Sequence, residues 1–411
     1  MAFDPIPELR LSVLTKLISR FMGDIRGKLK LSKLFGEDRY PSDKIEWEAQ
    51  IGNRGMTPFS NEDAPSPRVV PTGVSAHEAR AAFWKEKMYF GSSFLNNIRE
   101  PGTKEKFYAT KKFLARQMNM LANRCARRKE WMVAKMLSGG GFEYVDPQGK
   151  TINVDYGVPT DNLIALETAR KWSDYSADTS ANPVEDIMDA KIFMNNANGT
   201  EIDYAMFTSE ILKLLVMAPK IQSLLAKSQF GQGDLFARPL QVLGNLLDIP
   251  NMVLYNEMYQ VRGWLTSAVS AGAGPHTIYV DDATDFEVGS VIYIHSLRNK
   301  TKEKLTVSAV SPTAGSVTAT GTLTGGYRAK EDCVVMTRKF LPTNKFCMFS
   351  SQVEGQKIAE FMKSPFGLDR HYGTKTSRWY EDDPDGMWLR VENKGLPVLY
   401  FEDAIFNYTV A

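Results

Sequence analysis

The densest set of potential metal ligands in the sequence is Glu381, Asp383, Asp385, Gly386 and Glu392. They fall at positions one, three, five, six and twelve of a calcium-binding loop. Such a loop places carboxylates at alternate positions so that they converge on one hard cation, with a glycine at the sharp turn. Glu stands at position one where Asp is the rule, Pro384 interrupts the run, and the flanks alternate like strands. The stretch therefore reads as a solvated acidic turn. No G-x-x-x-x-G-K-S/T phosphate loop and no G-x-S-x-G nucleophile elbow is present. Gly231-Gln232-Gly233 lacks the third glycine of a dinucleotide fingerprint and does not follow a strand. His77, His276, His295 and His371 share no ligand spacing. Cys125, Cys333 and Cys347 lie far apart and read as reduced thiols, with neither a disulfide framework nor a zinc set. The expectation is a non-enzymatic chain with no catalytic residues, no cofactor and no metal.

What remains is charge, and it is local. The 411 residues are 43% apolar and 24% charged, with a formal charge of only +2. That is enough apolar content for a core and enough length for more than one unit. No segment approaches the roughly 18 apolar residues of a membrane span, so no membrane partner is expected. The N-terminus lacks the basic start and apolar core of a signal peptide, and the expectation is an intracellular product. The basic residues gather on Thr103–Leu137, the longest uninterrupted helical pattern. Phe107, Leu114, Met118, Leu121, Cys125, Met132 and Met136 form one apolar stripe on it. The other sides carry Lys and Arg, among them Arg124, Arg127 and Arg128, with few acids. Pro101-Gly102 and Gly139-Gly140-Gly141 bound it. A helix this long with one apolar side is a strut laid along something else. Its cations are either an ordinary solvated face or, with Lys28 and Lys30, candidates for facing DNA through its phosphates. No base-reading motif accompanies them.

The rest of the chain frames this helix. Glu8–Met22 is an amphipathic helix whose apolar side includes Leu14 and Leu17. A basic run, Arg26 to Lys33, follows it. Together they are an arm that contacts a neighbouring subunit or nucleic acid, or else a solvated extension. Ser42–Gln50 alternates as a strand. Gly52–Val74 then carries Pro58, Pro65, Pro67 and Pro71, too many for a helix or central strand. It is either disordered or an extended hairpin that packs on another molecule. Phe59, Val69 and Val70 within it, and Phe83 and Trp84 just after it, are candidates for contacts between subunits. After the long helix come a hairpin around Asp146-Pro147-Gln148-Gly149 and alternating helices and strands to residue 260. Gly263–Lys339 changes to Ser, Thr, Val and Gly, with turn residues every eight to twelve positions or so. It reads as a small all-β barrel or sandwich inserted between two strands. The end of the chain, from Met387, is a run of strands.

The order of parts resembles the major capsid proteins of tailed double-stranded DNA phages, in particular the lambda-type major head protein (capsid protein E) family. Leu31–Phe35 with Ile45–Gly52 is similar to that family's opening arm and strand, and Val154-Asp155-Tyr156-Gly157 to its post-helix hairpin. Val184–Leu225 resembles the first half of its axial domain, and Phe340-Leu341-Pro342-Thr343-Asn344 the strand entry that closes that domain. Asp382-Asp383-Pro384 with Gly395-Leu396-Pro397-Val398 resembles its C-terminal strands. Gly263–Lys339 is the departure, because the lambda-type protein has a short hairpin there.

The resemblance implies an α+β chain of the Hong Kong 97-type phage capsid fold with an inserted small all-β domain. The implied parts are an N-terminal arm at 1–45 and a strand with extended loop at 46–100. A peripheral domain with its spine helix follows at 101–160, then the first part of the axial domain at 161–262. The inserted β domain takes 263–339, the second part of the axial domain 340–351, and the peripheral C-terminal strands 352–411. It also implies a major capsid protein made in the host cytoplasm and found in the virion. Such a protein self-assembles as hexamers and pentamers around viral DNA, which it touches non-specifically, with scaffold, portal and decoration proteins as further partners. The residue pattern agrees in kind: a strut, a Pro-rich excursion and an arm leave apolar surface that symmetric neighbours can cover. The competing readings are a bacterial nanocompartment shell enclosing cargo enzymes and an intracellular enzyme with a β accessory domain.

Overall fold

The computed structural model describes residues 28–50, 56, 57, 59, 68, 74–91, 104–145, 151–174, 181–227, 232–296, 298–383 and 385–411, with backbone alone for 74, 104–115, 145, 198 and 232–234. The chain forms two compact units, residues 1–255 with 341–411, and residues 256–340.

The first unit is built on the long helix, Lys104–Gly139. At about 1.5 Å per residue it is roughly 54 Å long. It runs two residues past the expected end, and the left-handed turn falls on Gly140, at φ +74°. The single apolar stripe holds only in part. Met118, Leu121, Cys125, Met132 and Met136 are buried as expected, but so are Val133, Ala134, Leu137 and Ser138. The last turns are thus enclosed on more than one side, not laid on a surface. Their carbonyls, which a helix end leaves unpaired, are taken up from outside: Lys345 Nζ donates to Ser138 O at 2.7 Å and Asn407 Nδ2 to Leu137 O at 2.8 Å.

The middle of the helix holds the start of the described chain. Glu130 is fully buried. Its Oε1 and Oε2 accept from the backbone N–H groups of Leu31 and Ser32, each at 2.8 Å. These are the exposed donors at the start of the short helix Leu31–Leu34, whose own N-cap, Lys30, makes no side-chain cap. Glu130 Oε1 also accepts from the Tyr255 hydroxyl. The neighbouring Lys129 lies 4.4 Å over the Phe361 ring and pairs with Glu37, which pairs in turn with Lys363. Glu37 sits in the strand Gly36–Arg39, parallel to Ala359–Lys363.

One five-stranded sheet lies against the helix, centred on the 15-residue strand Asp385–Leu399. Sequence patterning splits this stretch into two strands; the structure runs them together through Asn393 and Lys394. Strand Ala82–Gly91 pairs with residues 386–395, and Lys375–Asp382 with residues 385–392. Ala82–Gly91 therefore belongs to this sheet rather than to an extended loop. Met387, Leu389 and Val391 alternate to the buried face, where Leu121 and Cys125 of the helix meet Val391. The base of the Pro-rich excursion is a separate hairpin, Lys44–Gln50 against Val74–Arg80. Trp47 stacks on His77 there at 5.5 Å, and His77 pairs with Glu402.

The second sheet of this unit runs in the order 163–165, 405–409, 345–349, 204–207, 251–254. Ile405–Thr409 was grouped by pattern with the other C-terminal strands; it pairs instead between Lys345–Phe349 and Leu163–Ala165. Helices Pro183–Asn198, Ser209–Met217, Pro219–Lys227 and Pro239–Leu247 contribute to one core with it. The first of these starts as its sequence dictates: the Asn182 side chain accepts from Glu185 N, Pro183 occupies the first turn, and Gly199 ends the helix in the left-handed region. Asp186 anchors it. Burial raises its pKa, offset in part by Trp172 Nε1 donating at 2.8 Å and by the Arg170 guanidinium.

Residues 256–340 form the second unit, which begins seven residues before the compositional shift at Gly263. The boundary falls between two strands: Asn251–Leu254 stays in the first unit, and Met258–Trp264 opens the second. Six strands run in the order 258–264, 333–339, 291–296, 301–311, 316–323, 272–279. The two edges meet at the Leu265–Val280 bridge, with Thr266 N donating to Tyr279 O at 2.9 Å. The sheet is thereby closed into a barrel. Ile278, Ile292, Ile294, Leu305, Val317, Ala319, Val334 and Met336 alternate into its interior. At Gly263 a Cβ would lie 2.9 Å from that of Val280, so only glycine fits where the barrel closes. Entry and exit lie side by side, with Met258 opposite Lys339.

Glu130→Gln would set an amide donor against a backbone donor, and an unmatched buried group costs about 1–3 kcal/mol. Hydrogen exchange at the Leu31 and Ser32 amides is expected to accelerate about tenfold or more. Exchange at Ile292 and Ile294 in the barrel should stay unchanged. Removing 256–340 and joining Tyr255 to Leu341 should leave the first unit folded, because each unit has its own core. Circular dichroism and gel filtration of the shortened chain check this.

Candidate functional site

The first unit has an open groove of about 1040 Å³. Its walls include Tyr40, Trp47, Glu48, His77, Glu360 and Tyr400. The polar groups engage one another. His77 is held by Glu402, Lys357 bonds Glu360 at 3.1 Å, and Tyr400 Oη reaches Glu360 at 3.5 Å. Burial, with Glu360 beside it, pushes the Tyr400 hydroxyl up to about 12. A nucleophile next to a base, with donors facing a common point, would make this a reaction site; these side chains are spread along the walls. Among the described residues no three His, Cys, Asp or Glu side chains converge on a metal position. The acidic stretch at 381–392 is a tight hairpin in which Asp382 pairs with Asp385. Glu392, at position twelve of the calcium-loop pattern, faces Lys375, about 23 Å along the strand from Asp385. It bonds Arg390 instead. The three thiols are buried and unbridged, and burial pushes those of Cys125 and Cys347 up to about 12.

The surface is more informative than the recesses. Helix Pro183–Asn198 buries Ile187, Ala190 and Met194 in the core. Its opposite side presents Met188 and Ile192, 52% and 58% exposed, with Phe193 beside them at 39%. A helix apolar on two sides has one of them waiting for a partner. Phe236 is 69% exposed, and Met217 also stands in solvent. Among the described residues no helix is long and apolar enough to cross a membrane.

The residues singled out in the sequence fall into three groups. Leu14, Leu17, Val69 and Val70 lie outside the described residues. Phe59 is fully exposed, and Lys28 and Lys30 are exposed as well. The others turn to their own chain. Trp84 Nε1 donates to Cys125 O at 3.2 Å and packs on the long helix, and Phe83 meets Phe366 at 5.6 Å. Arg124 forms a forked pair with Glu86, and Arg128 lies 5.2 Å over Trp131. Arg127 is half-buried. The basic side of the helix is thus partly neutralised and partly packed within the chain. Met188, Ile192 and Phe193 were missed. The available signal was the i, i+4 pair Met188 and Ile192 on the side away from Ile187, Ala190 and Met194.

These features were compared with known proteins. No curated protein sequence matches the chain. Among solved structures, a protein described as the capsid protein of a prophage, from E. coli CFT073, matches with a TM-score of 0.51 and 14% identity over 98% of this chain and 99% of that one. A phage-related protein from Bordetella bronchiseptica RB50 matches with a TM-score of 0.48 and 12% identity over 97% of each chain. The capsid of the cyanophage P-SCSP1u matches with a TM-score of 0.43 and 12% identity over 92% of this chain and 86% of that one. The first likeness shows a mixed helix-and-sheet capsid fold. The family model described as phage major capsid protein E matches residues 12–274, well over half of the 411. The chain therefore belongs to the phage major capsid protein E family, and it is a capsid shell protein.

Proposed function

We propose that copies of this chain assemble as hexamers and pentamers into an icosahedral shell of the Hong Kong 97 type around double-stranded viral DNA. The observation that carries this reading is the outward apolar side of helix Pro183–Asn198, with Met188 and Ile192 more than half exposed beside a complete core. An isolated chain gains nothing from that surface, whereas a second copy seated on it removes it from water. Burying one such side chain is worth about 1.5–3 kcal/mol, weak singly and sufficient when repeated around closed symmetry.

In this reading residues 161–255, 341–351 and 405–411 form the part near the shell axes. The long helix with Ala82–Gly91 and Ala359–Leu399 forms the outer part. The extended loop expected within 46–100 contacts a neighbouring copy; most of its Pro-rich stretch lies outside the described residues. Scaffold, portal and decoration proteins are the further partners, and the chain is made in the host cytoplasm before it enters the virion. Contact with the enclosed DNA is non-specific, through phosphates.

Electron microscopy of the purified protein tests the reading, with shells expected for the wild type. Ile192→Asp puts a charge into the proposed contact. It should leave circular dichroism unchanged while shells give way to free subunits on gel filtration. Normal shells from this variant would remove that helix side from the contact, and a wild type monomeric under every condition would overturn the shell.

A further inference from the structure

The second unit carries a surface that shell formation does not account for. Its outer face has two neighbouring cross-strand rows, Arg262–Val335–Tyr293–Lys304 and Trp264–Cys333–His295–Lys302. Each row spans three strand spacings, about 14 Å, and the rows lie about 7 Å apart. Arg262, Lys302 and Lys304 are exposed, and the turn that joins their hairpin adds Arg298 and Lys300. None of these five cations has a carboxylate at ion-pair distance among the described residues.

The nearby acids are turned away or occupied. Glu303 has both carboxyl oxygens on Thr324 N, at 3.0 and 3.1 Å. Asp281, at the far end of the second row, holds Trp264 N at 2.7 Å and Asp282 N at 2.9 Å on its Oδ1. His295 registers the imbalance: burial lowers its pKa, and the charges of Lys302 and Arg262 lower it further. Unpaired like charges held on a rigid face repel one another, and an anion relieves that repulsion.

We propose that this outer face of the barrel binds a flexible acidic polysaccharide. Two features select that partner among polyanions. Lys302 Nζ sits 4.0 Å over the Tyr293 ring and the Arg262 guanidinium 5.9 Å over Trp264, so each ring already has one of the chain's own cations over a face. Bases of a single-stranded nucleic acid need open ring faces on which to stack. A duplex is a straight rod, and a rod on the convex outside of a barrel meets only a narrow line of the patch. A chain one sugar wide can follow the curve, set its carboxylates against the cations, and offer hydroxyls to the exposed Thr306 and Thr320 in the next row. This binding is independent of shell formation, so either reading can fail while the other stands.

The test uses the full chain and polygalacturonate as probe, at about 50 mM salt, where screening is weak. The wild type is expected to bind it, to release it as salt rises, and to ignore neutral dextran. Lys302→Gln with Lys304→Gln should weaken binding about tenfold or more, with circular dichroism and gel filtration unchanged. If that pair folds poorly, Arg262→Gln alone serves, with a weakening of severalfold expected. Three results overturn the proposal: no binding of polygalacturonate by the wild type, equal binding by well-folded variants, or tighter binding of a short DNA duplex than of polygalacturonate at the same salt.

Discussion

The carboxyl group of Glu130 holds together parts of the chain that are nearly a hundred residues or more apart. It takes two backbone donors from the helix at residue 31 and one hydroxyl from residue 255, and no water reaches it. A buried acid with donors from three directions fixes all three, because moving any one leaves a polar group unmatched in a dry interior. Lys129 and Glu37 add a second clamp one residue away, with the ammonium lying on Phe361. Residues 31–39 are therefore seated before the chain enters the hairpin at Lys44. The hydroxyl that completes the set belongs to Tyr255, the last residue before the barrel departs. The point of insertion is thereby fixed in the first unit by the same side chain that fixes the start of the described chain.

Local pattern revealed the elements, and long-range pairing set their grouping. The long helix, its glycine stop, the Asn182–Pro183 start and the alternation of the barrel strands all follow from neighbours within a few residues. Glu130 could not be read that way. In the sequence it is one acid on a strongly basic helix, and its role depends on Leu31, Ser32 and Tyr255 arriving beside it. The same holds for Trp84, a plausible surface aromatic until Cys125 is placed beneath it. Ile405–Thr409 looks like the strands just before it; its partners, Lys345–Phe349 and Leu163–Ala165, are distant in sequence. The cations of the long helix read as one exposed face, yet Arg124 and Lys129 each find a carboxylate from another strand. In each case the deciding partner was remote in sequence.

The two units settle their exposed surface differently. The barrel joins its own sheet edges at the Leu265–Val280 bridge. Its interior is filled by its own residues, and one stretch of its outside carries a cluster of exposed cations. The first unit also completes its cores, but one of its helices keeps a second apolar side in solvent. Apolar contact is strong only when water is excluded over an area, and it favours another large surface. Charge acts at longer range and is tuned by salt.

The charge balance supports this division. A formal charge of +2 on 411 residues gives identical copies little reason to repel one another. The pairing of Arg124 with Glu86, and of Lys129 and Lys363 with Glu37, offsets cations on the body that carries the exposed apolar helix side. Cations left unpaired there would add a repulsive term to every contact in a shell. Those of the barrel hairpin are unpaired, and they sit on the body whose removal should leave the first unit's apolar surface intact. Each pairing of this kind lowers the electrostatic cost of bringing two copies together, and so lets weak apolar contacts add up.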